Sequence, residues 1–442
     1  MKTLTLHRQP VNAPQINKKS QAQKSAVNVK KSGNRFFGLT LLSAPLLLSL
    51  SAPVNAGPRG SELDTTLTPA SGGMEGVGVV RPQDPVAMIF GNPATLTQLN
   101  GSTAFTLGGS YLNMDLDARN SSINPNPFVA PGASGESDFT NAAIPHAAVV
   151  HRINSQWVVG GGMTGVSGLA SDFRDEPGFP ALVADLKLFG ANMVAGYQAT
   201  DNFSVGAAVT IGIGSLNAGL VQNGSSVNGF GVGGSLGATY DFGALQIGGT
   251  YKAPMKIDYD KAVEVSPNKF DKLTLEQPQE VTFGISTTDL ISDSTHIEIN
   301  YRFKNWENAD GYQDFWQDQH IVSVGAQHNF GNRFTARAGY SYGSDLVKSG
   351  SKLGNSFAGV STLNGPNGPI PISPELIQSA QATITNGYWR QSISVGLSYD
   401  LTQTIRLDTN ASYAFDGEDN VGAFETDGTI ITVGAGFTWR FD

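Results

Sequence analysis

Apolar and polar residues alternate with a period of two along most of the chain beyond residue 100. Near the C-terminus, every odd position from Ile431 to Phe441 is apolar, and every even position from Thr432 to Arg440 is small or polar. Because successive side chains of a β-strand point to opposite faces, this period indicates strands with one apolar face. The pattern predicts fourteen strands, near residues 101–118, 141–153, 156–166, 186–199, 202–218, 228–240, 243–259, 275–289, 294–305, 318–330, 332–347, 386–400, 403–416 and 429–441.

The predicted connections alternate between tight turns and long polar loops. The tight turns lie at residues 154–155, 200–201, 241–242, 291–293, 331 and 401–402, and the long loops at 119–140, 167–185, 219–227, 260–274, 306–317, 348–385 and 417–428. Short turns at one end of the strands and long loops at the other are typical of a bacterial outer-membrane β-barrel. The even number of strands places both ends of the barrel chain on the short-turn side.

Backbone hydrogen bonding explains why such strands would close into a ring. Hydrocarbon offers no partner to N–H or C=O groups, so an all-β span has to close on itself. Outward side chains then meet lipid, whereas inward ones meet water and can be charged. A soluble β-sandwich also alternates, but its core would bury the charged residues of the polar faces, which are Glu298, Arg302, Arg337, Arg406 and Arg440. We therefore predict an all-β fold, a 14-stranded antiparallel transmembrane β-barrel.

The N-terminus has the features of a cleavable secretory signal. Residues 1–35 contain eight Lys or Arg and no acid, an apolar run follows from Phe36 to Leu50, and small residues stand at Val54 and Ala56. The alternative, a membrane anchor, needs about 20 apolar residues to span a bilayer as a helix. The predicted organisation is therefore a signal peptide at 1–56, a segment without strand character at 57–100 and a barrel at 101–442, placed in the bacterial outer membrane.

Composition excludes several function classes. The chain has no cysteine, hence no disulfide framework and no thiolate nucleophile. Cleavage after Ala56 leaves 20 basic and 37 acidic residues, a net charge of −17 that disfavours nucleic-acid binding. Ser235 lies in a G-x-S-x-G pattern, but that motif requires a strand-to-helix turn. The five histidines that follow the predicted signal peptide are scattered and lack the H-E-x-x-H motif. We predict no catalytic residues, no metal and no cofactor.

Several segments resemble one family. "MIFGNPATL" within "DPVAMIFGNPATLTQL" (Asp84 to Leu99) is similar to the Asn-Pro-Ala motif of the N-terminal hatch in FadL-type transporters of long-chain fatty acids and other hydrophobic compounds. "GLASDF" (168–173), "YKAPMKIDYD" (251–260), "INYRFKNWEN" (299–308) and "FTARAGYSYGSD" (334–345) are similar to later parts of these proteins. The order of these segments is a stronger signal than any one of them, and the resemblance covers the whole chain after the signal.

The resemblance implies a passive channel for hydrophobic compounds, with the early segment folded as a hatch inside the barrel and lateral exit through a kink in the third strand. The hatch gate would be Asn92, Pro93 and Ala94, although an Asn-Pro dipeptide also indicates an ordinary turn. The kink would lie among Gly160, Gly161, Gly162, Gly165 and Gly168, since glycine weakens strand pairing and permits bulges. Glycine is, however, also common on the inner faces of barrels.

The inward arginines are candidates for binding a substrate carboxylate. Arg302, Arg337 and Arg406 all lie on predicted inner faces. An ion-paired lumen wall explains each of them equally well. The expected partners are fatty acids, outer-membrane lipids and the barrel-assembly machinery, and the expected state is a monomer. A lipid-modifying enzyme and a surface receptor or adhesion barrel without transport remain as alternatives.

The chain also departs from the family pattern. The third external loop, 219–227, is short, the sixth, 348–385, is long, and Asp442 follows the terminal aromatic residue that assembly machinery recognises. These differences leave the initial capture site and the choice of hydrophobic substrate open.

Overall fold

The computed structural model describes residues 68–441, with gaps at 122–129, 180–182, 219–225, 267–268, 289–291, 293, 314–315, 332, 349–361, 366–367, 372–389, 416–418 and 422–423. The predicted signal peptide, most of the loops 219–227 and 348–385, and Asp442 lie outside the described residues.

The described chain is almost entirely β-structure after residue 102. Its strands are β1 (Thr103–Asn120), β2 (Ser134–Glu136), β3 (Asn141–Arg152), β4 (Trp157–Asp172), β5 (Val183–Gln198), β6 (Phe203–Ala218), β7 (Val227–Asp241), β8 (Leu245–Lys252), β9 (Met255–Ser266), β10 (Lys269–Gln277), β11 (Glu280–Thr288), β12 (Thr295–Lys304), β13 (Gln319–Phe330), β14 (Phe334–Gly343), β15 (Thr362–Gly365), β16 (Gly368–Pro371), β17 (Gln391–Asp400), β18 (Ile405–Phe415), β19 (Asp419–Val421) and β20 (Phe424–Phe441).

The strands form a closed antiparallel barrel. Each wall strand pairs with its neighbours in sequence, and β1 closes the ring by pairing along its whole length with β20, from Thr103 opposite Phe441 to Asn120 opposite Phe424. With β8 continued by β9 and β10 continued by β11, the wall has 14 strands. The predicted fold class is confirmed.

Two predicted strands are broken in the structure. The strand predicted at 243–259 divides into β8 and β9 at Ala253–Pro254, and the one predicted at 275–289 divides into β10 and β11 at Pro278–Gln279. The breaks lie opposite each other, because Lys252 pairs with Glu280 and Met255 with Gln277. Proline has no N–H to donate to a ladder, so two prolines at one level interrupt both strands.

Other strands run further into the predicted loops. Strand β4 continues to Asp172 instead of ending at residue 166, and β20 begins at Phe424 instead of 429. The added residues of β20 pair with the end of β1. Pairing with a neighbouring strand therefore extends a strand through positions whose local sequence is typical of a polar loop.

The two faces of the barrel differ as expected for a membrane wall. Large apolar side chains such as Phe230, Val232 and Ile431 point outward and are exposed. Inward positions carry buried polar residues, including Glu298 and Arg337. Among the described residues, no helix is both long and apolar enough to cross a membrane.

Residues 68–100, called here the inner segment, contain the short helix α1 (Pro85–Phe90) and two 3₁₀ turns, Ser71–Met74 and Pro93–Gln98. Asp84 caps α1, and its carboxylate accepts a 2.9 Å hydrogen bond from the Ala87 N–H. Burial raises the pKa of Asp84, against hydrogen bonds from Thr68 and Ala87 that lower it. Nearly every side chain of the segment is buried.

Inward glycines create the space for the inner segment. A Cβ on Gly339 would lie 2.4 Å from the Met74 carbonyl carbon, and one on Gly206 would lie 2.3 Å from that of Pro93. Contacts of 3.3 Å or less between a built Cβ and the inner segment recur at ten wall glycines: Gly108, Gly196, Gly206, Gly237, Gly248, Gly284, Gly325, Gly339, Gly396 and Gly436. Several face each other across ladders, as Gly206 does with Gly196 and Gly237. The inner segment therefore packs against the barrel wall through backbone-to-backbone approach.

Candidate functional site

Asn92 is the centre of a hydrogen-bond network in the inner segment. Its side-chain amide donates to the carbonyl oxygens of Val79 at 2.7 Å and Ala238 at 3.2 Å. Its carbonyl oxygen accepts from the Ala94 N–H at 3.0 Å and so caps the 3₁₀ turn that begins at Pro93. One buried side chain thus joins two stretches of the inner segment to strand β7 of the wall.

The barrel wall is interrupted between β3 and β4. Their ladder runs only from Arg152 opposite Val158 to Ala147 opposite Met163, although both strands continue. The chains meet again where the Asp138 N–H donates to the Asp172 carbonyl at 2.8 Å. A 2.7 Å side-chain hydrogen bond between His146 Nδ1 and Thr164 Oγ1 still joins the strands just beyond the ladder, so this β3–β4 gap lies between residues 141–145 and 165–171.

The upper part of β4 is withdrawn from the lipid-facing surface. A strand in a barrel wall exposes alternate residues, but from Thr164 to Ser171 every residue is buried except Val166, which is partly buried. A register shift between Gly165 and Ser167 makes Val166 a bulge in the β4–β5 ladder. A bulge bends its strand and increases the local twist, which explains the displacement.

Val166 lies between the gap and an internal cavity. A Cβ built on Gly190 would be 2.5 Å from Val166 Cγ1 and 3.4 Å from Phe90 Cε1, so these two side chains adjoin. The cavity has a volume of about 100 Å³ and is lined by Phe90, Val166 and Met255 on its apolar side. This pocket, called here the central pocket, is smaller than the roughly 300–1,000 Å³ of typical ligand sites.

Above the central pocket the lumen is lined by apolar side chains. Strand β9 leans over the inner faces of β6 and β7, where a Cβ on Gly214 would lie 2.2 Å from the Tyr259 hydroxyl and one on Gly231 would lie 2.2 Å from the Lys256 carbonyl oxygen. A buried cluster results, made of Leu169, Leu186, Leu188, Leu216, Met255, Ile257, Tyr259 and Ala262. Partly buried Val166 packs against this cluster and against the one around α1.

Cations surround the polar side of the central pocket. Lys252 and Lys304 line it together with Glu280. Lys252 Nζ lies 3.2 Å from Glu280 Oε1, and Arg302 Nε lies 3.4 Å from the same oxygen. Lys252 and Arg302 thus share one carboxylate, and Lys304 adds a third cationic side chain beside the apolar cavity.

Comparison with known proteins finds similar outer-membrane proteins. A family model described as "Outer membrane protein transport protein (OMPP1/FadL/TodX)" matches residues 73–276. Outer membrane protein P1 of Haemophilus influenzae is 23% identical over 377 residues, which cover 69% of this chain and 81% of that protein. The long-chain fatty acid transport protein of Escherichia coli O6:H1 is 21% identical over 433 residues, 81% of this chain and 89% of that protein.

The chain resembles the FadL-type outer-membrane transporters, whose family model matches its residues 73–276.

The fold is shared with solved structures. The crystal structure of the P. putida toluene transporter TodX aligns with a TM-score of 0.60 at 18% identity, over 85% of this chain and 98% of that one. At this identity the likeness concerns the fold. The match to outer-membrane proteins and the β-barrel fold together place the chain in the bacterial outer membrane, as predicted from the signal and the strand pattern.

The predicted hatch and kink residues lie in distinct surroundings. Asn92, Pro93 and Ala94 are buried in the inner segment. Of the predicted kink glycines, Gly160, Gly161 and Gly162 belong to the paired part of β4, whereas Gly165 and Gly168 lie along the gap. The bulge residue itself is Val166, which sequence reasoning did not single out because it is one apolar residue within a run of glycines.

The three predicted arginines are all engaged by acids or amides. Arg337 lies 3.6 Å from Asp408, donates to Gln327 at 2.7 Å and also to the Ser398 hydroxyl. Arg406 forms a two-pronged pair with Asp400, at 2.8 and 3.0 Å. Arg302, beside Glu280, is the one of the three that lies next to the central pocket.

An aromatic cluster lies at the long-loop end. Trp306 and Trp316 meet edge to face with centroids 4.7 Å apart, and Tyr312 stacks on Trp316 at 4.5 Å. Phe173, from the connection after β4, and Phe424, on β20, belong to the same buried cluster. Residues distant around the barrel therefore meet across the lumen at this end.

The described residues give little support to a catalytic serine, an acid–base pair or a metal site. Ser235 is in the middle of β7, opposite Lys252, and no strand-to-helix turn follows it. His296 lies 3.7 Å from Glu298, but the same carboxylate binds the main chain of the inner segment. Within the described part of the chain, no group of His, Asp and Glu is arranged to hold a metal ion.

Proposed function

We propose that this protein is a passive outer-membrane channel for long-chain fatty acids or similar hydrophobic compounds, with lateral exit through the β3–β4 gap. The observation that carries the proposal is the position of Val166. Its side chain adjoins helix α1 of the inner segment, and its backbone forms the bulge beside the gap. The inner segment serves as the hatch, and Asn92 fixes its gate.

A lateral route suits an apolar cargo energetically. A fatty acid that passes from the central pocket into the bilayer never exposes its chain to water, which would cost about 0.8 kcal/mol for each CH₂ group. The cluster around Leu186 and Ile257 leads from the long-loop end towards Val166. The apolar surface is therefore continuous with the side of the pocket that faces the gap.

The charges favour an acid as the cargo. The Escherichia coli relative is named a long-chain fatty acid transport protein, whereas TodX is named a toluene transporter. Lys252, Lys304 and Arg302 around Glu280 provide charge-assisted donors for a carboxylate, and an uncharged aromatic hydrocarbon would not use them. We place the head group of the substrate at Lys252 and Lys304 and its chain against Phe90 and Val166.

The test is uptake of labelled oleate by bacteria that lack their own fatty acid transporter and express the full chain. Val166→Trp should fill the passage and lower uptake by about tenfold, equivalent to about 1.4 kcal/mol of added barrier. Val209→Trp is the matched control, because Val209 points to lipid and is exposed. Equal uptake by the two variants, with equal amounts of folded barrel, would show that the route does not pass Val166.

Two further measurements address the alternative functions. A lipid-modifying enzyme would release product from an ester at a rate that Ser235→Ala abolishes. A receptor or adhesion barrel would show no difference in oleate uptake between cells with and without the protein.

A further inference from the structure

Three cavities lie between the inner segment and the side of the barrel wall that strands β4 to β12 form. The first is the central pocket of about 100 Å³. The second is only about 10 Å³, and it shares Lys252 and Glu280 with the first. The third, of about 280 Å³, lies at the short-turn end and is lined by Gln98, Gln198, Asn202, Asp241 and Gln246.

The middle cavity is the constriction of this series. Its volume of about 10 Å³ is that of about one water molecule. Val79 lines the second cavity, and Val80 and Arg81 line the third. The stretch Val79–Arg81 therefore forms the partition between the central pocket side and the short-turn end of the barrel.

Side chains from outside the stretch hold its main chain. Glu298 accepts the Val80 N–H at 3.0 Å with one carboxylate oxygen and the Arg81 N–H at 2.9 Å with the other. Asn92 donates to the Val79 carbonyl at 2.7 Å, and Gln98 donates to the Val80 carbonyl at 2.8 Å. Glu298 is fully buried and comes from the barrel wall.

Beyond the central pocket, which the lateral route also uses, the chemistry of the second and third cavities differs from that of the lateral route. Amide, carboxylate and guanidinium groups line the third cavity, including Arg81 and Asp201. An alkyl chain would gain no burial against such groups, so a fatty acid has no reason to follow them. Water and small polar solutes would find hydrogen-bond partners throughout.

We propose that Val79–Arg81 is the gate of a second, polar pathway through the barrel to the periplasm, and that Glu298 is its latch. The pathway takes small hydrophilic solutes and diverges from the lateral route for hydrophobic cargo at the central pocket. In the closed state described here, the two main-chain hydrogen bonds to Glu298 hold the partition to β12. When they break, the second and third cavities join.

The two hydrogen bonds that hold the gate require both carboxylate oxygens of Glu298. A glutamine at position 298 has one acceptor oxygen, so only one of the two N–H groups can be satisfied, and its NH₂ group would face the other donor. Glu298→Gln should therefore favour opening while changing the volume of the side chain very little.

The experiment uses the full chain reconstituted in liposomes, with swelling in arabinose and single-channel conductance as readouts. Glu298→Gln should raise both by about tenfold, the change that loss of one charge-assisted hydrogen bond produces in an opening equilibrium. Asp400→Asn is the matched control. It also removes one wall carboxylate, but Asp400 pairs with Arg406 and not with the inner segment. If Glu298→Gln behaves like the wild type, or if Asp400→Asn leaks equally, the latch is refuted.

A reversible cross-link separates gating from loss of structure. The chain has no cysteine, and a Cβ on Gly248 would lie 3.3 Å from Val80 Cγ2. Thr239 Cγ2 lies 3.3 Å from the same point, so Val80 and Thr239 adjoin there without a new Cβ at the glycine. In the Glu298→Gln variant with Val80→Cys and Thr239→Cys, oxidation should close the pathway and reduction should reopen it in the same molecules. Swelling that is identical in both redox states would overturn the proposal. Oleate uptake, measured separately, tests the lateral route and does not depend on this result.

Discussion

Asn92 occupies the space that a side chain at Gly237 would require, since a Cβ built on Gly237 would lie 1.9 Å from Asn92 Oδ1. Gly237→Ala should therefore displace the side chain that holds the inner segment. We expect the free energy of unfolding to fall by about 1–3 kcal/mol, as in other overpacked interiors. Denaturant unfolding monitored by the mobility of the folded barrel on gels measures this change.

Gly109→Ala is the control for that substitution. Gly109 also lies in a wall strand, but a Cβ there meets only β3 and no atom of the inner segment. If the two alanine variants lose equal stability, the inner segment is not the cause of the constraint at Gly237.

Removal of the Asn92 amide should loosen the inner segment without opening the barrel. Asn92→Ala leaves the buried carbonyls of Val79 and Ala238 and the N–H of Ala94 without their partner. Each unsatisfied buried group costs about 1–3 kcal/mol. Hydrogen–deuterium exchange of peptides spanning residues 77–98 should accelerate, while exchange in β1 and β20 stays slow.

Asn228→Ala provides the comparison, because Asn228 is an exposed residue of β7. Unchanged exchange in the inner segment of Asn92→Ala would mean that the segment is held by its glycine contacts alone.

The period-two pattern was sufficient to predict the barrel because lipid and lumen impose it on every wall strand. Glu298 and Arg337 lie at polar positions of the sequence pattern, and the structure places both on the inner face of the barrel. Pro254 and Pro278 are visible in the sequence as residues that interrupt strands. That the two breaks lie opposite each other depends on the pairing of β8 with β11, which local sequence does not determine.

The site was less predictable for the same reason. Asn92 was found through a family resemblance, whereas its contact with Gly237 depends on the path of the inner segment across the lumen. Val166 was missed because a bulge cannot be located within a glycine-rich run from local sequence. Lys252 and Lys304 were overlooked because they lie at strand ends, and only the break beside Pro254 brings them to one cavity.

The lysines of the central pocket should distinguish acids from neutral cargo. Lys252→Gln combined with Lys304→Gln removes two charge-assisted donors while keeping polar side chains of similar length. Each such hydrogen bond contributes about 1.5–3 kcal/mol, so the dissociation constant for oleate should rise by at least about tenfold. Binding of oleyl alcohol, which has the same chain without the charge, should change by less than about twofold.

Lys272→Gln is the matched control, since Lys272 is exposed and pairs with Asp258 at 3.0 Å on the outer side of the β9–β10 hairpin. Both affinities are measured by titration of the purified protein in detergent with fluorescent analogues. An equal loss for oleate and oleyl alcohol would mean that the lysines shape the pocket without recognising the carboxylate. An unchanged oleate affinity in the double variant would move the head group away from Glu280 and reopen the choice of an uncharged substrate.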